Sequence, residues 1–190
     1  MDEGRTRLWT AANTITLLRV LAVPILVLAL VRHASRTAFW VFAAAACTDF
    51  LDGMAARCCR QRSRLGTLID PIADKILMTA SFIALSLPAI GGPNIIPLGL
   101  TGLVIGRDAA ISAGALIVVK KLGPRPFLPS LWGKISTILQ MGCVCLVLFL
   151  NMLGVKTPLL SGLYIITFAA TLVSAIHYFA ARFLPWMTKR

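Results

Sequence analysis

Asp49 and Asp52 stand three residues apart, and Asp70 and Asp74 four apart, inside a chain that is otherwise mostly apolar. On a helix, residues at these spacings share a face. Two such pairs on consecutive helices, joined by a short basic link and so expected to be antiparallel neighbours, bring four carboxylates to one pocket. Like charges so close do not all ionise unaided, and a divalent cation relieves them. Oxygen-only ligands favour Mg²⁺, Mn²⁺ or Ca²⁺ over zinc or copper. The neighbouring residues extend this chemistry. Gly53 follows Asp52, Ala56 lies three further on, and Gly66 opens the second helix, so a ligand can approach the backbone. Arg57 begins the link, and its planar, permanently charged fork suits phosphate. Together these residues point to a diphosphate whose oxygens complete the cation shells.

The elements that must position them read as membrane helices. The 190 residues are 58% hydrophobic and 14% charged, against about 45–50% and about 25% for a soluble domain. Six runs are long enough to span a bilayer, which takes about 20 residues of helix. They cover roughly 13–31, 37–56, 67–87, 95–119, 131–153 and 158–183, and leave only short connections. The expected fold is an all-α integral membrane protein with six transmembrane helices, a single domain over residues 1–190. Pro24, Pro71 and Gly106 fall inside spans, where membrane helices tolerate them. In such a setting the aspartates are expensive. At about 2.5–3.5 kcal/mol each at a span centre, four unpaired ones would cost on the order of 10–14 kcal/mol. They must therefore lie near an interface, face a wet cavity, pair with bases or bind cations.

Charge sets the orientation. Arg5, Arg7, Arg57, Arg60, Arg62, Arg64, Lys120, Lys121, Arg125, Arg182, Lys189 and Arg190 fall on one side of the six runs, and Arg32, Arg36 and Lys156 on the other. The positive-inside rule puts both termini and the aspartate link in the cytoplasm. No cleavable signal is expected, because Arg19 interrupts the first apolar run. A bacterial inner membrane is the expected location, with the site facing the cytoplasm, and the mitochondrial inner membrane is the alternative. The net charge of +12 does not indicate nucleic acid, since the bases sit at span ends where anionic lipid head groups attract them. Cys47, Cys58, Cys59, Cys143 and Cys145 contain no Cys-x-x-Cys pair, which argues against zinc. His33 falls in an outer turn and His177 near a helix end, and neither has a catalytic partner in sequence.

The stretch from Asp49 to Asp74 resembles the signature of the CDP-alcohol phosphatidyltransferase family. That signature is Asp, two residues, Asp-Gly, two residues, Ala-Arg, eight residues, Gly, three residues, Asp, three residues, Asp. Here it reads Asp49, Asp52-Gly53, Ala56-Arg57, Gly66, Asp70, Asp74, with every spacing kept. The segment "NTITLLR" at 13–19 is similar to the start of the first helix in the phosphatidylglycerophosphate synthase and cardiolipin synthase branches.

The resemblance implies a transferase of phospholipid biosynthesis. Its donor would be CDP-diacylglycerol, with the acyl chains held in the bilayer. Asp49, Asp52 and Asp70 would hold one cation, and Asp49, Asp70 and Asp74 a second, either Mg²⁺ or Mn²⁺. Asn13, Thr16, Gly53, Ala56, Arg57, Ser63 and Gly66 would contact the CDP moiety. Asp74 would take the proton of the acceptor hydroxyl, and CMP would leave. A homodimer is also implied.

Arg19, Lys75, Arg107 and Lys134 are the bases within spans, and intramembrane bases are functional candidates by default. Arg107 and Lys134 occupy positions where the family builds its acceptor pocket. Two extra cations suit an acceptor with its own phosphate, either glycerol 3-phosphate or phosphatidylglycerol. Arg107-Asp108 departs from the Arg-Glu of glycerophosphate-using members and is more similar to the cardiolipin synthase branch, while "GKISTILQ" at 133–140 resembles both. The sequence leans to glycerol 3-phosphate, with cardiolipin synthesis as the alternative. A divalent-cation transporter is the alternative of another class. Such folds often carry internal repeats and mid-membrane sites, whereas the aspartate pattern occurs once, near one face.

Overall fold

A computed structural model describes the backbone of residues 11–58, 66–122 and 131–180, and the side chains of 18–48, 75–114 and 131–180. Among the described residues it contains six α-helices and no strand. They are α1 (Ala11–Val31), α2 (Ser35–Cys58), α3 (Gly66–Ser86), α4 (Leu98–Leu122), α5 (Leu131–Leu153) and α6 (Leu159–Tyr178). Each follows one of the apolar runs, and Pro24 sits inside α1 without ending it. At 1.5 Å per residue the 20 residues of α6 are about 30 Å long, the thickness of a bilayer's hydrocarbon core. Among the described residues, α5 and α6 are the helices long and apolar enough to cross a membrane.

The bundle is apolar outside and partly polar inside. Leu98, Ile138, Leu159 and Ile165 are all more than two-thirds exposed, whereas Ser136, Gln140, Asn151, Thr167, Thr171 and Ser174 are buried. Water would select the reverse, because exposed apolar area costs about 25 cal/mol per Å². Hydrocarbon selects this pattern, since polar groups then hydrogen-bond across helices. The apolar core runs from Leu26 and Leu30 on α1 through Phe42, Leu77, Phe82 and Leu85 to Val144 and Leu148 on α5.

Interhelical contacts fix the directions. Phe39 at the start of α2 stacks on Phe149 near the end of α5, with ring centroids 5.5 Å apart. Thr101 at the start of α4 donates to Ser86 at the end of α3 (3.1 Å), and Lys75 on α3 donates to Ser112 on α4 (2.7 Å), so these helices are antiparallel. Arg107 reaches Ser174, and Tyr178 reaches Ile111 four residues further along each helix, so α4 and α6 run parallel. Asn94, between α3 and α4, bonds Asn151 and the Val155 carbonyl at the end of α5. The turns at 32–34, 87–97 and 154–158 therefore gather at one end. The C-terminal ends of α2, α4 and α6 and the N-terminal ends of α1, α3 and α5 point to the other, called here the signature end.

Lateral packing departs from one expectation. Chain order predicts α2 and α3 as direct antiparallel neighbours. Among the described residues, both pack on α1 instead, α2 also packs on α5, and no α2–α3 face forms. A long apolar surface accepts more than one neighbour, so connectivity alone does not select the partner.

Two helices end in the same way. At the end of α5, Gly154 has φ 68°, its N–H donates to the Asn151 carbonyl, and the Val155 N–H donates to that of Leu150. At the end of α1, His33 has φ 54° and its N–H donates to Leu30, while Ala34 donates to Ala29. Both are left-handed helix stops that glycine suits best. A residue with a Cβ there carries a cost of about 1–2 kcal/mol, partly offset by the entropy glycine loses on folding. His33→Gly is therefore expected to raise the thermal midpoint in detergent, by a stabilisation on the order of 0.5–1 kcal/mol. An unchanged or lowered midpoint would show that the imidazole contributes packing or hydrogen bonds that offset this strain.

Candidate functional site

The signature divides between two helices whose relevant ends share one end of the bundle. Asp49, Asp52, Gly53, Ala56 and Arg57 lie on the C-terminal part of α2, and Gly66, Asp70 and Asp74 on the N-terminal part of α3. Asn13 and Thr16 lie on the first turns of α1, at the same end. The helical register expected for both aspartate pairs is thus present in the backbone. Their side chains, and all of Ser63, fall outside the described residues. Among the described side chains no group of three or more His, Cys, Asp or Glu converges.

Lys75 follows Asp74 directly. Its ammonium donates to the Ser112 hydroxyl at 2.7 Å, and Ser112 in turn donates to the Asp108 carbonyl at 2.7 Å. This fixes α3 against α4 beside the last signature residue. On α1, Arg19 is almost fully buried and engaged by a partner.

Arg107 sits deeper. One guanidinium nitrogen meets Asp108 Oδ1 at 2.6 Å and the other donates to Ser174 Oγ on α6 at 2.8 Å. The side chain is 8% exposed, and its Nε is buried with no hydrogen-bond partner. Lys134 lies on the exposed first turn of α5. Arg107 and Lys134 are not in contact through any described bond, yet α6 sets them level. Arg107 aligns with Ser174, while Ser136, two residues beyond Lys134, aligns with Thr171 (3.2 Å). Carrying the α3–α4 register along puts Asp74 about six residues, roughly 9 Å, nearer the signature end than Arg107.

A polar seam continues from Arg107 into the α5–α6 interface. Gln140 donates to Ser136 at 3.1 Å and to Thr171 at 3.0 Å, and Thr171 donates to the Thr167 carbonyl at 2.7 Å. Ser112, Ser174 and Thr171 carry no weight in the sequence reading. The available signal is the spacing of Ser136 and Gln140, and of Thr167, Thr171 and Ser174, at three and four residues within apolar helices. Such a stripe faces helix neighbours rather than lipid.

The sequence profile of the CDP-alcohol phosphatidyltransferase family matches residues 9–183. A probable phosphatidylglycerophosphate synthase of Mycobacterium tuberculosis is 34% identical over 180 residues, spanning 91% of this chain and 80% of that one. A CDP-diacylglycerol–glycerol-3-phosphate 3-phosphatidyltransferase of Aquifex aeolicus is 33% identical, over 68% of this chain and 71% of that one. The human CMP-forming cardiolipin synthase is 35% identical over 62% of this chain but only 38% of its own length. The profile covers both aspartate-bearing helices and reaches past α6, so the chain belongs to the CDP-alcohol phosphatidyltransferase family.

Proposed function

We propose that this chain transfers the phosphatidyl group of CDP-diacylglycerol to the primary hydroxyl of glycerol 3-phosphate. The observation that carries this reading is the unbroken signature, divided between the ends of α2 and α3 that share one end of the bundle. The acceptor oxygen attacks the phosphorus that bears diacylglycerol, and an O–P bond forms. The bond from that phosphorus to the CMP oxygen breaks, and CMP leaves. Asp74 takes the hydroxyl proton. Asp49, Asp52, Asp70 and Asp74 form an all-carboxylate donor set that fits two Mg²⁺ or Mn²⁺ ions. When bound, these ions neutralise the diphosphate and stabilise the leaving group. Gly53, Ala56 and Gly66 leave room for the CDP moiety, and Arg57, Ser63, Asn13 and Thr16 contact it. Arg107 and Lys134 receive the acceptor's phosphate.

In this reading residues 1–190 form one domain of six membrane-spanning helices. Both termini and the signature end face the cytoplasm of a bacterial cell membrane, and the protein is a homodimer. The apolar exterior and the distribution of basic residues support it. One observation favours a second acceptor. Arg107 is followed by aspartate rather than the glutamate of glycerophosphate-using members, and a cardiolipin synthase is among the relatives. Phosphatidylglycerol would then be the attacking alcohol.

The test is purified protein with CDP-diacylglycerol and both alcohols in competition, with the lipid products identified by mass. Phosphatidylglycerophosphate as the main product supports the first acceptor, and cardiolipin the second. Divalent-cation flux in proteoliposomes without either product would sink both in favour of a transporter.

Arg107→Ala tests the acceptor pocket. A hydrogen bond to a charged group contributes about 1.5–3 kcal/mol, so kcat/KM for the acceptor should fall about 10- to 100-fold. Binding of CDP-diacylglycerol should stay within about twofold. Removing one partner of a buried pair is also destabilising, so Arg107→Lys and a melting curve accompany the measurement. Collapse of donor binding with an unchanged acceptor response would move Arg107 to the CDP site.

A further inference from the structure

We propose that the end of the bundle opposite the signature holds a second binding site, for a phosphate-bearing anion, and that its occupant is the head group of an anionic phospholipid. The site is a cavity of about 410 Å³ between the α3–α4 loop and the start of α6, within the range that small-ligand sites occupy. Asn94, Ile95, Lys156, Thr157, Ser161 and Tyr164 are among the residues that line it.

Charge indicates the sign of the ligand. Lys156 is exposed at this cavity and makes no ion pair among the described residues. The chain has no Asp or Glu between Lys75 and Arg107 and none after Asp108. The other charged residues of this end are Arg32 and Arg36, both basic. Among the described residues no acidic side chain pairs with Lys156, so an anion from outside the chain can do so.

The remaining lining groups suit an oxyanion. The Leu159 N–H donates to Thr157 Oγ1 at 3.3 Å, which leaves the Thr157 proton free to donate in turn. Ser161 is exposed and presents a second hydroxyl. The N-cap residue of α6, Pro158, offers no side-chain cap of its own, and the positive dipole end of the helix adds to the field of Lys156.

The cavity is also held in shape. Asn94 gives its backbone N–H and one amide proton to Asn151 Oδ1 (2.8 and 2.9 Å) and its other amide proton to Val155 (2.8 Å), while Asn151 returns a bond to the Gly91 carbonyl (2.7 Å). Asn94 is thus committed to the frame, which fixes one loop against the other.

Free phosphate would satisfy the same donors. The apolar rim favours a lipid. Ile95, Leu98 and Leu159 are 38%, 68% and 82% exposed around this end, and acyl chains would cover them. The site is separate from the aspartates and does not rest on the proposed reaction.

The experiment uses the full chain in neutral phosphatidylcholine nanodiscs doped with a photoreactive phosphatidic acid, with adducts mapped by peptide mass spectrometry. Adducts are expected on 93–98 and 156–164. Lys156→Gln should lower their yield about five-fold, the equivalent of the roughly 1 kcal/mol that one base contributes at an anionic surface. Lys156→Arg should retain it, and adducts at the signature end should be unchanged in both variants. Inorganic phosphate in excess is the second arm. Failure to suppress labelling identifies the lipid as the occupant, and suppression identifies an oxyanion site that free phosphate also fills. Equal labelling by a neutral photoreactive lipid, or undiminished labelling of Lys156→Gln, overturns the proposal.

Discussion

Asp74→Asn is expected to lower phosphatidyl transfer by about 10²–10⁴-fold, the usual loss on removing a general base, while CDP-diacylglycerol still binds measurably. Asparagine keeps the size of the side chain and one ligating oxygen but cannot accept the acceptor's proton. Asp74 occupies the ninth position of α3, followed by Lys75, which is bonded to Ser112 on α4. The backbone at this position is therefore anchored, and the substitution changes chemistry rather than placement. Asp49→Asn should behave differently. Asp49 is assigned to both cations, and the diphosphate binds through them, so metal and donor affinity should fall together. The contrast between the two variants carries the test. Equal loss of donor binding in both would make Asp74 a ligand first and require another base. Near-normal turnover in Asp74→Asn would remove the base role altogether.

The second large effect is complete dependence on a divalent cation. Excess chelator should reduce transfer to background, and Mg²⁺ or Mn²⁺ should restore it. The argument is electrostatic. If the four aspartates accept a diphosphate as proposed, like charges brought together there repel each other unless neutralised. Arg107 does not replace the cations, because it lies about six residues, roughly 9 Å, further from the signature end than Asp74. Full turnover in excess chelator would contradict the two-cation assignment, and restoration by Zn²⁺ alone would contradict the inference from an all-oxygen donor set.

Most of the longitudinal organisation is legible in the sequence. The apolar runs locate all six helices, and α5 spans Leu131–Leu153, the same residues as its run. The i, i+3 and i, i+4 spacings place the four aspartates on α2 and α3, and chain alternation sends those ends to one side. Lateral organisation is much less legible. On α1, Leu18, Leu21, Ile25 and Leu28 are exposed while Leu26 and Leu30 are buried, and residue type does not distinguish the two sets. Nothing in the order of the runs tells that α2 packs on α1 and α5 rather than on α3. The ties between distant segments are equally hidden. Arg107 meets Ser174 and Asn94 meets Asn151 through pairings set by tertiary packing, with no local periodicity to announce them. Arg107 beside Asp108 is readable from adjacency alone, but its bond to α6 is not. That bond makes Arg107 part of an interhelical seam as well as a candidate acceptor group.

The central claim is that the aspartate pairs of α2 and α3 catalyse phosphatidyl transfer from CDP-diacylglycerol to an alcohol. Its most direct test is a single-vessel assay that quantifies CMP and lipid product together, with purified protein, CDP-diacylglycerol, Mg²⁺ and glycerol 3-phosphate. The account predicts CMP and phosphatidylglycerophosphate in equal amounts, both absent without acceptor and both lost in Asp49→Asn. CMP released without a matching lipid product, or product formation that survives Asp49→Asn, would contradict it.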